Sequence, residues 1–132
     1  MVLDTSAVLA VLLQEPEAPA FAVAVEVAES VRMSVANVLE SSIVLRSRKR
    51  IAPAEAESIL DEFLEEAGVS VDPVDADQLA AARRAYADYG RGNHRAQLNF
   101  GDSFAYALAK VTGEPLLFKG NDFSQTDIRR AA

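Results

Sequence analysis

Three aspartates in this chain of 132 residues stand where a carboxylate could act on a ligand. Asp4 directly follows a short apolar run, and Asp122 follows the apolar segment PLLFK by three residues. Asp102 opens the segment DSFAYALAKVT at a helix N-terminus, where the helix dipole favours a negative charge. Each position also has an ordinary structural explanation, because Asp is a common helix cap and a common turn residue.

A glutamate in apolar surroundings is the fourth candidate. Glu40 has Ala36, Ile43 and Val44 at the helical spacings i−4, i+3 and i+4, which places it on an apolar stripe predicted to face the sheet. The predicted solvent face of the same helix carries Ser41, Ser42 and Ser47. Because an unpaired inward carboxylate is costly, Glu40 has the weakest purely structural explanation of the four.

A cluster of these four acids would require a counter-charge. Two unit charges ~4 Å apart repel by ~4 kcal/mol at an effective dielectric of ~20, so an isolated cluster would be strained or partly protonated. Mg²⁺ and Mn²⁺ prefer carboxylate and water ligands, and such ions can activate water against a phosphodiester. The acids therefore predict metal-assisted phosphoryl hydrolysis.

Other catalytic chemistries are poorly supported. The chain has no cysteine, which excludes thiolate metal sites and a cysteine nucleophile, and its single histidine, His94, excludes a multi-histidine metal site. His94 lies in the polar stretch RGNHR, and no GxSxG motif presents a serine for triad chemistry. Any metal must therefore be held by oxygen atoms.

Alternating strands and helices would bring the four acids together. The predicted strands are the first three residues, VRMSV, VSVDP and PLLFK. The predicted helices are SAVLAVLLQ, AFAVAVEVAES, VANVLESSIVLRSRK, PAEAESILDEFLEEAG, DADQLAAARRAYADY, DSFAYALAKVT and a short terminal helix after the loop GNDFSQTDI. This order predicts an α/β fold, with a parallel sheet of about four strands and helices on both faces, in which ligands bind at the carboxyl edge.

The charge distribution limits the acidity to the middle of the chain. The net charge is −7, but residues 1–50 carry five basic and six acidic side chains, residues 51–90 two and ten, and residues 91–132 six and four. Both ends could therefore still face phosphates. No basic residue precedes Arg32 and the longest uncharged run, Thr5 to Gln14, has ten residues, so we expect no signal peptide, no membrane span and a cytoplasmic protein.

The segments that carry the acids resemble those of PIN-domain ribonucleases, and among them the VapC-type toxins of bacterial toxin–antitoxin pairs. The similar segments are MVLDTSAVLAVLLQEPE, SVANVLESSIVL and LNFGDSFAYALAKVTGEPLLFKGNDF, in this order. The resemblance implies a single PIN-like domain over residues 1–132, and a Mg²⁺- or Mn²⁺-dependent endoribonuclease. It further implies a homodimer, for which AFAVAVEVA offers apolar surface, and inhibition by a VapB-type antitoxin.

The resemblance also implies roles for individual residues. The acidic quartet of the family is matched by Asp4, Glu40, Asp102 and Asp122. Among these, Asp4 and Asp102 are the residues expected to bind the metal directly. Ser6 is expected to orient Asp4. The loop before Asp102 carries three residues expected to contact the RNA backbone, namely Arg91, His94 and Arg95. Many relatives have a threonine before the fourth acid, where this chain has the segment FKGN.

Two alternative functions remain open from the sequence. A phosphoacceptor signalling domain would use Asp4 as an acid, Asp72 as the phosphoacceptor and Lys119 as its lysine, but it leaves Glu40 and Asp102 unexplained. The other alternative is a catalytically silent PIN-like interaction module. The presence of all four acids argues against it. Asp127 is a possible fifth ligand, although a surface charge or a cap explains it better.

Overall fold

The computed structural model describes all residues from Met1 to Ala132. Two helices lie between each pair of successive strands, as the sequence predicts, and a short 3-10 helix, Phe123–Gln125, follows the last strand. The elements are β1 (Val2–Leu3), α1 (Thr5–Leu12), α2 (Ala18–Val27), β2 (Val31–Ser34), α3 (Val35–Lys49), α4 (Pro53–Glu66), β3 (Val69–Asp72), α5 (Ala76–Tyr89), α6 (Phe100–Thr112) and β4 (Leu116–Leu117).

The four strands form one parallel sheet in the order β3-β2-β1-β4. Successive residues of a strand point to opposite faces, so Val2 joins one hydrophobic cluster and Leu3 the other. The cluster around Leu3 includes residues of α1, α3 and α4, and the cluster around Val2 includes residues of α5 and α6. The predicted α/β class, with helices on both faces, is confirmed.

Three helix N-termini lie at the carboxyl edge of this sheet. α1 and α3 begin directly after β1 and β2, and α6 runs back towards the start of β4, so its first turn is at the same edge. Ser34 caps α3, as predicted, by accepting a hydrogen bond from the backbone of Ala36. The edge therefore collects residues from three separate segments of the chain.

The predicted orientation of α3 is wrong in detail. Ser41 and Ser42 are buried, whereas the apolar residues Leu39 and Ile43 are 62% and 56% exposed. The hydroxyl of Ser41 donates to the backbone carbonyl of Asn37, and that of Ser42 donates to a carboxylate of α4. Small side chains with satisfied hydroxyl groups let α3 pack closely, which helical periodicity alone does not reveal.

Two helix boundaries also differ from the prediction. α6 begins at Phe100, with Asn99 as its cap, two residues before the predicted start at Asp102. The predicted terminal helix is wrong, because Arg130 instead pairs with Leu116 in a parallel bridge. That backbone pairing satisfies hydrogen-bonding groups that β4, an edge strand, would otherwise expose. No helix combines the length and the apolar character that a membrane crossing requires.

Candidate active site

Asp4 is a buried carboxylate fixed at the junction of β1 and α1. It is 3% exposed and caps α1, and its Oδ2 accepts hydrogen bonds from the Ser6 backbone at 3.0 Å and the Ser6 hydroxyl at 2.5 Å. The Ser6 hydroxyl in turn accepts from the backbone N–H of Lys119 at 3.0 Å. Burial raises the pKa of Asp4 to about 6 even though these hydrogen bonds lower it. Ser6 therefore makes the contact that an orienting role requires.

Asp102 lies in the first turn of α6, at the same carboxyl edge of the sheet as Asp4. Its Oδ2 accepts from the backbone of Asn99, and the Asn99 side chain accepts from the backbone of Asp102, so the two form a capping box. Burial, together with the charges of Asp4, Asp122 and Glu40, raises the pKa of Asp102 to about 7. Asp102 thus interacts electrostatically with the other three acids.

Glu40 is held by two neighbours. Its Oε1 accepts from the Thr5 hydroxyl at 2.5 Å and from the Asn37 side-chain amide at 3.3 Å. The same Asn37 amide nitrogen donates to the carbonyl of Gly101 at 2.9 Å, and Asn37 is fully buried. The prediction that Glu40 faces the sheet is therefore wrong. Its carboxylate lies between α1, α3 and the first turn of α6.

Gly101 leaves room for the Glu40 carboxylate. A Cβ atom at position 101 would lie 2.0 Å from Glu40 Oε2, far inside the contact distance of real atoms. The absence of a side chain at Gly101 is therefore what allows Glu40 to approach the backbone next to Asp102.

Asp122 is the most peripheral of the four acids. It is exposed, precedes the 3-10 helix without capping it through its side chain, and contributes to the raised pKa of Asp102 through its charge. The segment before it is anchored to the site through the Lys119 backbone and its hydrogen bond to Ser6. Asp122 is therefore near the other acids but is not fixed by hydrogen bonds to them.

The residues fit a hydrated divalent cation better than a fully dehydrated one. Asp4 Oδ1 is buried and has no hydrogen-bond partner, so one oxygen of this carboxylate is available to a ligand while Ser6 holds the other. No three acidic or histidine side chains converge closely enough to hold an ion by themselves. Mg²⁺ commonly binds through one or two carboxylates, with waters and substrate phosphates completing its coordination. Asp4 and Asp102 fit this pattern.

The predicted RNA-contacting loop connects α5 to α6. Arg91 and Arg95 are exposed and form no ion pair. His94 is half-buried, and its ring packs edge-on against Tyr89. The Nδ1 atom of His94 accepts a hydrogen bond from the backbone of Ala96 at 3.0 Å. Only Nε2 of His94 is then free to contact a partner. The two arginines remain available to phosphates.

The residues of the phosphoacceptor alternative are engaged elsewhere. Asp72 accepts from Arg32 at 3.0 Å on the edge strand β3, and the Lys119 ammonium pairs with Glu15 and Glu17. Neither side chain is thus free for a phosphoryl group beside Asp4, which speaks against a signalling domain.

Asp127 has a structural role. Its carboxylate accepts from the Tyr106 hydroxyl at 2.5 Å and from the Lys110 ammonium at 2.6 Å. Burial opposes ionisation of Asp127, but these two hydrogen bonds outweigh it and lower the pKa. Asp127 anchors the C-terminal segment to α6, as expected for a residue that is not a metal ligand.

Sequence reasoning did not identify three residues that organise this site, namely Thr5, Asn37 and Gly101. Asn37 precedes Glu40 by three residues, a helical spacing that places the two side chains on one face. That spacing could have indicated the contact. Nothing in the local sequence indicates that Gly101, which is distant along the chain, must lack a side chain because of Glu40.

Comparison with known proteins relates the whole chain to one family. The family model described as PIN domain matches residues 1–129. Ribonuclease VapC30 of Mycobacterium tuberculosis is 50% identical over 132 residues, covering 100% of this chain and 98% of that protein. Ribonuclease VapC of Mycolicibacterium smegmatis is 52% identical over 128 residues, covering 97% of both chains. Ribonuclease VapC42 of M. tuberculosis is 46% identical over 132 residues, covering 99% and 98%.

A solved structure has the same fold. The crystal structure of M. tuberculosis VapC20, described as a sarcin-ricin loop cleaving toxin, superposes with a TM-score of 0.75. It covers 96% of this chain and 95% of that one, at 18% sequence identity. At this identity the similarity concerns the fold alone.

Proposed function

The chain belongs to the PIN-domain family, and from that premise we propose that it is a metal-dependent endoribonuclease and the toxin of a type II toxin–antitoxin pair. The relatives that share about half of its residues over their whole length are named VapC ribonucleases. The observation that best supports the activity is that the first turns of α1 and α6 bring Asp4 and Asp102 to one sheet edge, where burial and the neighbouring acidic charges raise the pKa of Asp102. Its proposed place of action is the bacterial cytoplasm, where its RNA substrate is found.

The proposed metal ligands are Asp4 and Asp102, with Glu40 and Asp122 acting nearby on bound water. A divalent ion, Mg²⁺ or Mn²⁺, supplies a water of lowered pKa and compensates the charge of the phosphodiester oxygens. Asp4 is suited to this role because Ser6 fixes one of its oxygens and leaves the other buried and unpaired. The expected products carry 5′-phosphate and 3′-hydroxyl ends.

The loop between α5 and α6 is the proposed contact for the RNA backbone. Arg91 and Arg95 are exposed without acidic partners, and the loop leads into the turn that carries Asp102. His94 can add only a contact through Nε2, since its Nδ1 is engaged by the backbone of Ala96. These side chains would position the strand, because contacts to phosphates carry no sequence information of their own.

Cleavage assays with acid-to-amide variants test the activity. Asp4→Asn and Asp102→Asn should each abolish cleavage of RNA while the protein stays folded. Asp72→Asn is the matched control, because Asp72 also ends a strand but is paired with Arg32 away from the site. Unchanged cleavage in either site variant, or full activity in excess EDTA, would contradict the proposal. A folded protein that binds no divalent ion and cleaves nothing would instead indicate a silent interaction module.

The proposed protein partners are a second copy and a small VapB-type antitoxin. α2 leaves Val23 and Val27 exposed, and α3 and α6 expose a larger apolar surface formed by Leu39, Ile43 and Phe100. We call the latter surface the α3–α6 patch and assign the dimer contact to it. Because the chain carries −7 overall, two copies meet with least repulsion through an uncharged surface.

The antitoxin is tested by co-purification. If no small protein encoded beside this one co-purifies with it, the proposed antitoxin is contradicted.

A further inference from the structure

The Glu40 side chain is held by two hydrogen bonds, from α1 and α3, and packs against the backbone of α6. Thr5 of α1 and Asn37 of α3 both donate to Glu40 Oε1, at 2.5 Å and 3.3 Å. Gly101 of α6 offers a surface without a side chain, against which the other carboxylate oxygen lies. We call Thr5, Asn37 and Gly101 the Glu40 bracket. A glutamate has several rotatable bonds, so a fixed position requires contacts of this kind.

Asn37 is the central member of the Glu40 bracket. Its amide nitrogen donates both to Glu40 Oε1 and to the Gly101 carbonyl, at 3.3 Å and 2.9 Å. Both partners can only accept hydrogen bonds, so the chemistry itself determines which end of the amide faces them. Asn37 thereby connects the Glu40 carboxylate to the backbone of the residue directly before Asp102.

The Glu40 bracket has a geometric consequence for the site. Asn37 and Glu40 both belong to α3, so a shift of α6 relative to α3 would break the hydrogen bond to the Gly101 carbonyl and would separate the Glu40 carboxylate from Gly101. Thr5, which follows Asp4 in the chain, connects the same carboxylate to the start of α1. The three acids Asp4, Glu40 and Asp102 are therefore held relative to one another by residues that are not acids.

We propose that Asn37, acting with Thr5 and Gly101, is a positioning residue that sets the affinity of the acidic site for a divalent cation. This inference rests on the proposed function, since it assumes that the acids bind an ion. Asn37 does not contact the ion. It holds Glu40 beside Asp102 in the orientation in which the carboxylate can bind a water of the hydrated ion. Residues that orient ligands in this way typically change metal affinity about 10- to 100-fold when they are replaced.

The test is a Mn²⁺ titration of the purified protein, in which electron paramagnetic resonance measures the concentration of free Mn²⁺ at each step. Asn37→Ala should raise the Mn²⁺ dissociation constant by about tenfold or more. Ser41→Ala is the matched control. Ser41 is equally buried on α3 and its hydroxyl donates to the backbone of Asn37, but it makes no hydrogen bond to the Glu40 carboxylate. Ser41→Ala should lower the melting temperature and leave the Mn²⁺ affinity within about twofold of wild type.

A second variant decides the matter if Asn37→Ala does not fold. Thr5→Val keeps the shape of the side chain and removes only the hydroxyl that donates to Glu40. It should also weaken Mn²⁺ binding. RNA cleavage by either variant should recover as the Mn²⁺ concentration is raised, because a positioning role acts through ion affinity.

The outcomes separate this inference from the proposed function. Wild-type Mn²⁺ affinity in folded Asn37→Ala or Thr5→Val would overturn the inference. Absence of any Mn²⁺ binding by the wild-type protein would overturn both the inference and the metal-dependent function. Weaker binding in the two variants, in a protein that cleaves no RNA, would support the inference and contradict the proposed function alone.

Discussion

The Asp4 and Asp102 carboxyl groups are harder to ionise in the folded protein than in the unfolded chain. Burial raises their pKa values to about 6 and about 7. A group whose pKa is higher in the folded state contributes its full stability below the unfolded pKa and loses that contribution as the pH rises through the folded pKa. Without metal, both groups therefore favour the folded state at acidic pH.

This difference predicts how stability depends on pH. In EDTA, the contribution of these two groups to the free energy of unfolding should fall between roughly pH 4 and pH 8. Urea denaturation at several pH values measures it, with Asp4→Asn and Asp102→Asn as comparisons that each flatten the curve. A wild-type curve no steeper than those of the two variants would contradict the raised pKa values.

Asp102→Asn should stabilise the metal-free protein. Repulsion from Asp4, Asp122 and Glu40 is relieved, and the amide oxygen can still accept from the backbone of Asn99. We expect an increase on the order of 1 kcal/mol in EDTA at neutral pH. Melting curves with EDTA and with Mg²⁺ measure the change.

Added Mg²⁺ provides the control for this prediction. Mg²⁺ should stabilise the wild type by preferential binding to the folded state, and the variant much less. If Asp102 served only the capping box, the variant would instead lose about 0.5 to 2 kcal/mol, independently of metal.

At the scale of elements, α3 and α6 approach closely because Gly101 has no side chain. Gly101→Ala should destabilise the protein by about 1 to 3 kcal/mol, because the added Cβ lies 2.0 Å from the Glu40 carboxylate, which cannot move away without losing its hydrogen bonds to α1 and α3. In a Glu40→Ala background the clash is absent, and the same substitution should stabilise α6 by up to about 1 kcal/mol through helix propensity. Thermal unfolding of the four proteins in EDTA measures this double-mutant cycle.

The sign of the Gly101 effect is the decisive result of that cycle. Destabilisation of equal size in both backgrounds would mean that Gly101 is required for a reason other than Glu40. A reversal of sign would show that Glu40 occupies the space in solution, independently of RNA cleavage or ion binding.

At the scale of the whole molecule, two exposed apolar surfaces compete as the dimer contact. The α3–α6 patch includes Ile43, which is 56% exposed, and α2 presents Val27, which is 75% exposed. We expect Ile43→Glu to yield monomers, because dimerisation would bury the introduced charge, and Val27→Glu to leave dimers intact. Light scattering at micromolar concentration measures the mass.

Two results would contradict this assignment. A monomeric mass for the wild type would exclude the dimer altogether. Monomers formed by Val27→Glu but not by Ile43→Glu would transfer the contact to α2, the segment whose apolar composition first suggested it. Both variants change an exposed valine or isoleucine to the same acid, so they serve as controls for each other.

The fold class and the four candidate acids could be predicted from the sequence alone. Strand and helix order follow from local patterns of apolar residues, caps and breakers, such as Ser34 before α3, because these signals act between residues close in the chain. The positions of Asp4 after β1 and Asp102 at the start of α6 follow from the same local signals. A parallel sheet then requires both to lie at its carboxyl edge.

The way the acids are held, and the side of α3 that is covered, follow from tertiary packing and not from the local sequence. Periodicity shows that α3 has an apolar stripe, but Ser41 and Ser42 face inward because their hydroxyl groups find partners on neighbouring turns and helices. The space for Glu40 depends on Gly101, which is distant in the chain. The hydrogen bond that orients Asn37 also depends on Gly101, because the Gly101 carbonyl accepts it. Contacts between residues so far apart leave no local pattern, since they exist only once the helices have packed.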